Sequence, residues 1–167
     1  MKANAVSVQA AGAVLVAAMR KVVNQNLADE NHPCHGCIVV SEFNAPGTYD
    51  ALAQRVAATR ELAVERDFSA TAIYGRNGNT VFRAFHDMDH LLHGLSFTLQ
   101  DEIEVALLGW NSIAKLVPKH DAQFLRRVYM ADTIGQSIYF QKHGRFPDNQ
   151  TAFVVEYLRT GGVDGTF

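Results

Sequence analysis

Residues 10–19 are apolar or small without exception, and no proline occurs before Pro33. The periodicity predicts one long helix over residues 4 to about 28. Ala10, Ala13, Val14, Ala17, Ala18 and Met19 crowd it with small side chains, so another helix can approach closely. Composition says where such a helix goes. Hydrophobic residues make up 48% of the 167 and charged residues 19%, which is the balance of a globular chain long enough to bury one core. Four prolines and 12 glycines leave little room for linkers, so one domain is expected. The basic start and apolar run imitate a signal peptide. Asn4, Ser7 and Gln9 interrupt it, and it passes straight into Arg20 and Lys21. Ten apolar residues are short for a bilayer. The expectation is a cytoplasmic protein with no membrane span.

The rest of the chain reads as helices between turns. His32-Pro33-Cys34-His35-Gly36-Cys37 breaks the first helix, and Ile38-Val39-Val40 reads as a short strand. After the turn at 44–47, Thr48 or Asp50 caps a second helix over about 50–66. Residues 70–74 and 80–82 read as the strands of a small β-hairpin. Its loop is Gly75-Arg76-Asn77-Gly78-Asn79, where Asn-Gly supplies positive φ. Further helices are expected over about 83–94, from a capping box at Thr98 to about Leu116, over 122–142, and from Asp148 or Asn149 to about Arg159. Residues 161–167 read as a frayed tail. The fold class is mainly α: a single helical bundle of five or six helices with a small β-hairpin.

Seven histidines are present, and three share one short helix. His86, His90 and His93 fall at i, i+4 and i+7, along one face, with Asp87 and Asp89 among them. Two imidazoles one turn apart can hold one divalent metal, and a carboxylate suits a harder ion, so Mn²⁺, Fe²⁺, Mg²⁺ or Zn²⁺ are the candidates. The ordinary alternative is a polar helix face in which these histidines pair with the aspartates. Further ligands must come from neighbouring helices: Asp132, Glu102 and, from the broken loop, His35.

His86-Asp87 followed by His90, with Asp132 in Tyr129-Met130-Ala131-Asp132-Thr133, resembles the signature of HD-type metal phosphohydrolases. That family is all-helical, and the resemblance implies a metal on His86, Asp87, His90 and Asp132. It also implies hydrolysis of a phosphoester or nucleotide, with Asp87 and Asp132 as catalytic residues. Phe85-His86-Asp87-x-x-His90 is also similar to small uncharacterised bacterial and phage proteins, which implies no activity. His86-Asp87-Met88-Asp89-His90 has the His-Glu-x-x-His spacing of zincins and deformylases too. Asp in the Glu place is a methylene short, and Cys37 sits in His-Gly-Cys, so peptidase or deformylase chemistry is not expected.

Cys34 and Cys37 have C-x-x-C spacing, but no second pair exists and position 38 is Ile, so two reduced thiols are expected. Residues 115–145 hold Lys115, Lys119, Arg126, Arg127, Lys142 and Arg145 against Asp121 and Asp132. Arg126 and Arg127 are the candidate contacts for a phosphorylated substrate. A formal net charge of −2 argues against a chain-wide grip on nucleic acid. Two functions remain open: a metal-dependent phosphoester hydrolase, or a non-catalytic helical interaction protein, such as a phage-type accessory factor, whose His/Asp helix is a structural network. The small residues of the first helix suit a homodimer.

Overall fold

A computed structural model describes residues 4–67 and 69–162; the expected frayed tail at 161–167 falls mostly outside them. Helix α1 (Ala5–Ala28) runs through the middle of the bundle and packs on α3 (Gly75–His93), α4 (Leu99–Ile113), α5 (Ala122–Met130) and α7 (Gln150–Thr160). Its start is a capping box, with Asn4 and Ser7 each accepting the other's backbone N–H. Val8, Ala11, Gly12, Leu15, Ala18, Met19, Val22 and Val23 form its buried face at helical spacing. By length and composition alone α1 could also cross a membrane, with 24 residues and a mean hydropathy of 1.5. The expected limit of ten apolar residues understated it. Ala10, Ala13 and Ala17 remain exposed, so the small residues serve two faces.

The helical expectation holds, and the β element differs from it. The hairpin at 70–82 is absent; residues 75–82 are the first turns of α3. Gly78 is not a turn glycine: a Cβ there would sit 3.0 Å from Val16 Cγ2, so it lets α3 close on α1. Asn79 donates to Ser69 Oγ at 3.1 Å inside the core. The sheet is instead a parallel pair of β1 (Ile38–Glu42) and β2 (Glu61–Glu65), Ile38 opposite Glu61 and Glu42 opposite Glu65. Helix α2 (Tyr49–Thr59) crosses between them, as parallel pairing requires. The expected helix to 66 stops at Arg60, which takes a left-handed φ of 57° and turns the chain into β2. Leu62, Ala63 and Val64 are buried on both faces of the strand, so no alternation betrays it. Arg55 on α2 bonds to Glu42 on β1 and Glu61 on β2 and ties the unit together.

The expected helix over 122–142 is continuous but not regular. Between α5 and α6 (Gln136–His143) lies a π-helical turn, Ala131–Gly135, all of it buried. Such turns displace one residue from the regular ladder and are frequent at functional sites. Thr133 Oγ1 donates to the Tyr129 carbonyl at 2.8 Å and Ser137 Oγ to the Thr133 carbonyl at 3.1 Å. These bonds occupy carbonyls that the altered ladder leaves underused.

Candidate functional site

The α3–α4 corner builds the site. Gly94 ends α3 with a φ of +65°, a conformation that only glycine adopts cheaply. The Leu95 N–H then bonds back to the His90 carbonyl at 3.1 Å. In return His90 donates its Nδ1–H to the Leu95 carbonyl at 2.9 Å. A carbonyl can only accept, so in the neutral ring the Nε2 lone pair is free. Thr98 caps α4, accepting the Asp101 N–H at 3.3 Å, while Asp101 turns back to accept the Ser96 N–H at 2.9 Å. Glu102, one residue on, is thereby aimed at α3.

Three side chains meet there. His86 Nε2 lies 3.1 Å from His90 Nε2 and 3.1 Å from Glu102 Oε2, and His90 Nε2 is 3.6 Å from Glu102 Oε1. Among the described residues this is the group of His, Cys, Asp and Glu side chains that could hold a metal ion. The histidine pair fits one ion: at metal–ligand distances of about 2.1 Å, their 3.1 Å separation subtends about 95°. His90 is fully buried and held by a backbone carbonyl, the usual outer partner of a metal-binding histidine. His86 Nδ1 is buried with no partner, and its ring stacks on Phe82 with centroids 5.8 Å apart. Burial works against charge on His86, but the carboxylates of Glu102, Asp87 and Asp89 together outweigh it and raise its pKa. Burial likewise disfavours the Glu102 charge, and the two histidines reverse that, holding the carboxyl well below its usual range.

The other expected ligands are placed differently. Asp87 is one residue from His86 and so turned about 100° around the helix. It lines the adjacent cavity, outside the three-residue cluster, and burial raises its carboxyl. Asp132 lines the same cavity from the π turn and accepts from Gln136 Nε2 at 2.7 Å. Asp89 is in the core: its Oδ2 has no partner and lies beside Gly109, where Tyr129 also points. Burial pushes Asp89 up to about 7. His93 is exposed, and His35 is in the 29–37 loop; neither lines the cavity. Arg126 and Arg127 are exposed on α5, and Arg127 donates to the Leu158 carbonyl at 3.2 Å; neither reaches the cavity. Cys34 and Cys37 are buried free thiols, and burial pushes Cys34 up to about 12.

The cavity has a volume of about 740 Å³. His86, Glu102 and Asp87 line it from α3 and α4, Asp132 and Gln136 from the π turn and α6. Arg83 lines it too, three residues before His86 and on the same face. That helical spacing was the signal that could have singled it out. Phe97, Phe140 and Phe146 add apolar surface.

Asp132 offers a direct check on this wall. It is 5% exposed, and burial pushes its carboxyl up to about 6, opposed by Tyr74 and Gln136. The folded protein therefore holds this proton at pH values where the unfolded chain has released it. The associated stability is present below about pH 4 and lost as pH rises towards about 6. Asp132→Asn keeps the shape and removes the titration. Its stability relative to wild type is expected to rise between pH 4 and 7 by up to about 3 kcal/mol. Urea unfolding at a series of pH values measures this; a difference independent of pH would refute it.

No protein-family model matches the chain, and neither a curated protein nor a solved structure matches it.

Proposed function

We propose that the protein is a divalent-metal-dependent hydrolase of phosphoester bonds, with the ion held by His86, His90 and Glu102. The observation that carries this is the convergence of two imidazoles and one carboxylate, with His86 and Glu102 on the wall of a cavity large enough for a small substrate and His90 buried behind them. Three protein ligands and open positions are the format of a catalytic metal rather than a structural one. Two nitrogens and one oxygen favour Mn²⁺, Fe²⁺ or Zn²⁺ over Mg²⁺. Such an ion lowers the pKa of a bound water and draws charge from a phosphoryl oxygen. Asp87, beside His86 and lining the same cavity, would accept the proton of such a water. The resemblance to HD-type phosphohydrolases supports the reaction class, since His86, Asp87 and Asp132 line one cavity.

One observation favours a second reading. His86, His90 and Glu102 satisfy one another as a hydrogen-bonded ion pair, which a non-catalytic bundle would also tolerate. Metal analysis separates the two. Protein purified without a histidine tag and dialysed against Mn²⁺ or Zn²⁺ is expected to hold about one ion per chain. It should then hydrolyse an aromatic phosphodiester, and Glu102→Ala should lose both properties. No bound ion and no thermal shift with Mn²⁺, Zn²⁺ or Mg²⁺ would leave the structural network as the answer.

A further inference from the structure

Arg83 differs from most other basic residues of the chain in where its charge sits. It lies one helical turn before His86 and lines the cavity, the one Lys or Arg among the described residues to do so. Its Nε–H is buried and has no hydrogen-bond partner. No ion pair involving Arg83 is found among the described residues. A guanidinium carries five donors and no acceptor, so a buried N–H left unpaired is costly until an acceptor arrives. Asp87 and Asp132 are near enough to feel the Arg83 charge, but neither makes a hydrogen bond or ion pair with it, and Glu102 is engaged by the histidines.

We propose that Arg83 and the His86–His90–Glu102 centre together form a receptor for one oxyanion, and that the ligand is a mono-anionic phosphodiester with an organic substituent. The charges on the cavity wall set this class. Among the described residues Glu65, Asp87, Glu102 and Asp132 line it, with Arg83 as the cation. A divalent ion and Arg83 offset three of those four carboxylates, so each further negative charge on a ligand is less favourable and a mono-anion is preferred over a polyphosphate. Guanidinium and phosphoryl group match in geometry, two N–H donors to two oxygens. The substituent has an apolar surface to lie on at Phe97, Phe140 and Phe146. The metal half of the receptor rests on the hydrolase proposal; the Arg83 half stands on its own geometry.

Diphenyl phosphate is the probe, titrated calorimetrically into wild type, Arg83→Met, Arg83→Gln and Arg83→Lys. Each protein is measured with and without Mn²⁺, with metal content and melting temperature followed in parallel. Mn²⁺-loaded wild type should bind it, and more tightly than it binds ATP. Arg83→Met and Arg83→Gln should weaken binding about 10- to 100-fold with metal content and melting temperature unchanged, and Arg83→Lys should recover part of the loss. Equal affinity in wild type and both neutral variants overturns the inference while leaving the metal centre intact. So does a protein that binds Mn²⁺ and ignores the probe, or prefers ATP. If wild type binds no metal, the hydrolase proposal falls. The metal-free titration then decides Arg83: binding that depends on Arg83 upholds its role, and binding that is absent or independent of it removes it.

Discussion

His90→Ala is expected to abolish the divalent-ion binding proposed for this centre. The imidazole offers its Nε2 to the centre because the Leu95 carbonyl holds its Nδ1–H, so the ring is aligned before any ion arrives. Removing one of three ligands should lower metal affinity by about a hundredfold or more, since even outer-shell changes cost about 10- to 100-fold. The proposed hydrolysis should vanish with it. The substitution also empties a fully buried site, breaks the bond to Leu95 and removes a ring in edge contact with Phe97, centroids 4.8 Å apart. A stability loss of about 2–3 kcal/mol should accompany the loss of metal. His93→Ala, one turn on and exposed, is the control, with both quantities unchanged. Metal analysis and chemical denaturation of the two variants test this together. A His90→Ala protein that keeps its ion would remove His90 from the centre.

Gly12→Ala should be the most damaging small substitution in the bundle. On helix propensity alone alanine would gain about 1 kcal/mol. The added methyl, however, would fall on the Ile73 carbonyl oxygen and 2.9 Å from its carbon. That group is backbone, so it cannot rotate aside as a side chain would. The 69–74 loop would have to move, and it leads directly into α3. A net loss of about 3 kcal/mol is expected, at the upper end of overpacking costs. The sign is the test, read from the midpoint of urea unfolding. An alanine variant as stable as wild type would mean that the contact between α1 and this loop is loose.

The residues of the proposed centre differ in how plainly the sequence announces them. His86 and His90 were legible because helical spacing is a strong constraint: four residues apart on any helix, their rings must lie together. Glu102 was less so. An acid in the first turn of a helix is favourable there for its own sake, and only the fold of the 94–98 corner shows that it reaches α3. Asp89 belonged to the same eight-residue pattern and went to the core instead. Asn77-Gly78 misled for a physical reason, since the dipeptide that favours a hairpin turn also gives a helix a bare spot where Val16 of α1 can press. Glu61 to Glu65 misled because a strand buried on both faces has no alternation and uses residues that helices also favour. The basic residues of α5 drew attention by number, whereas Arg83 matters through one unpaired N–H.

The π turn has a consequence for how this chain can change length. Between α5 and α6 the chain holds one residue more than an unbroken helix would need, and Asp132 sits within that surplus. Deleting a single residue from 131–135 would restore a regular ladder. Because the residue removed is the surplus one, α5 and α6 would keep about their present relation, and the change would fall on the bulge itself, which carries Asp132 to the cavity wall. Ordinary substitutions here trade one side chain for another, but this deletion would take away the backbone position that presents Asp132. That part of the wall therefore depends on a residue count as well as on residue identity.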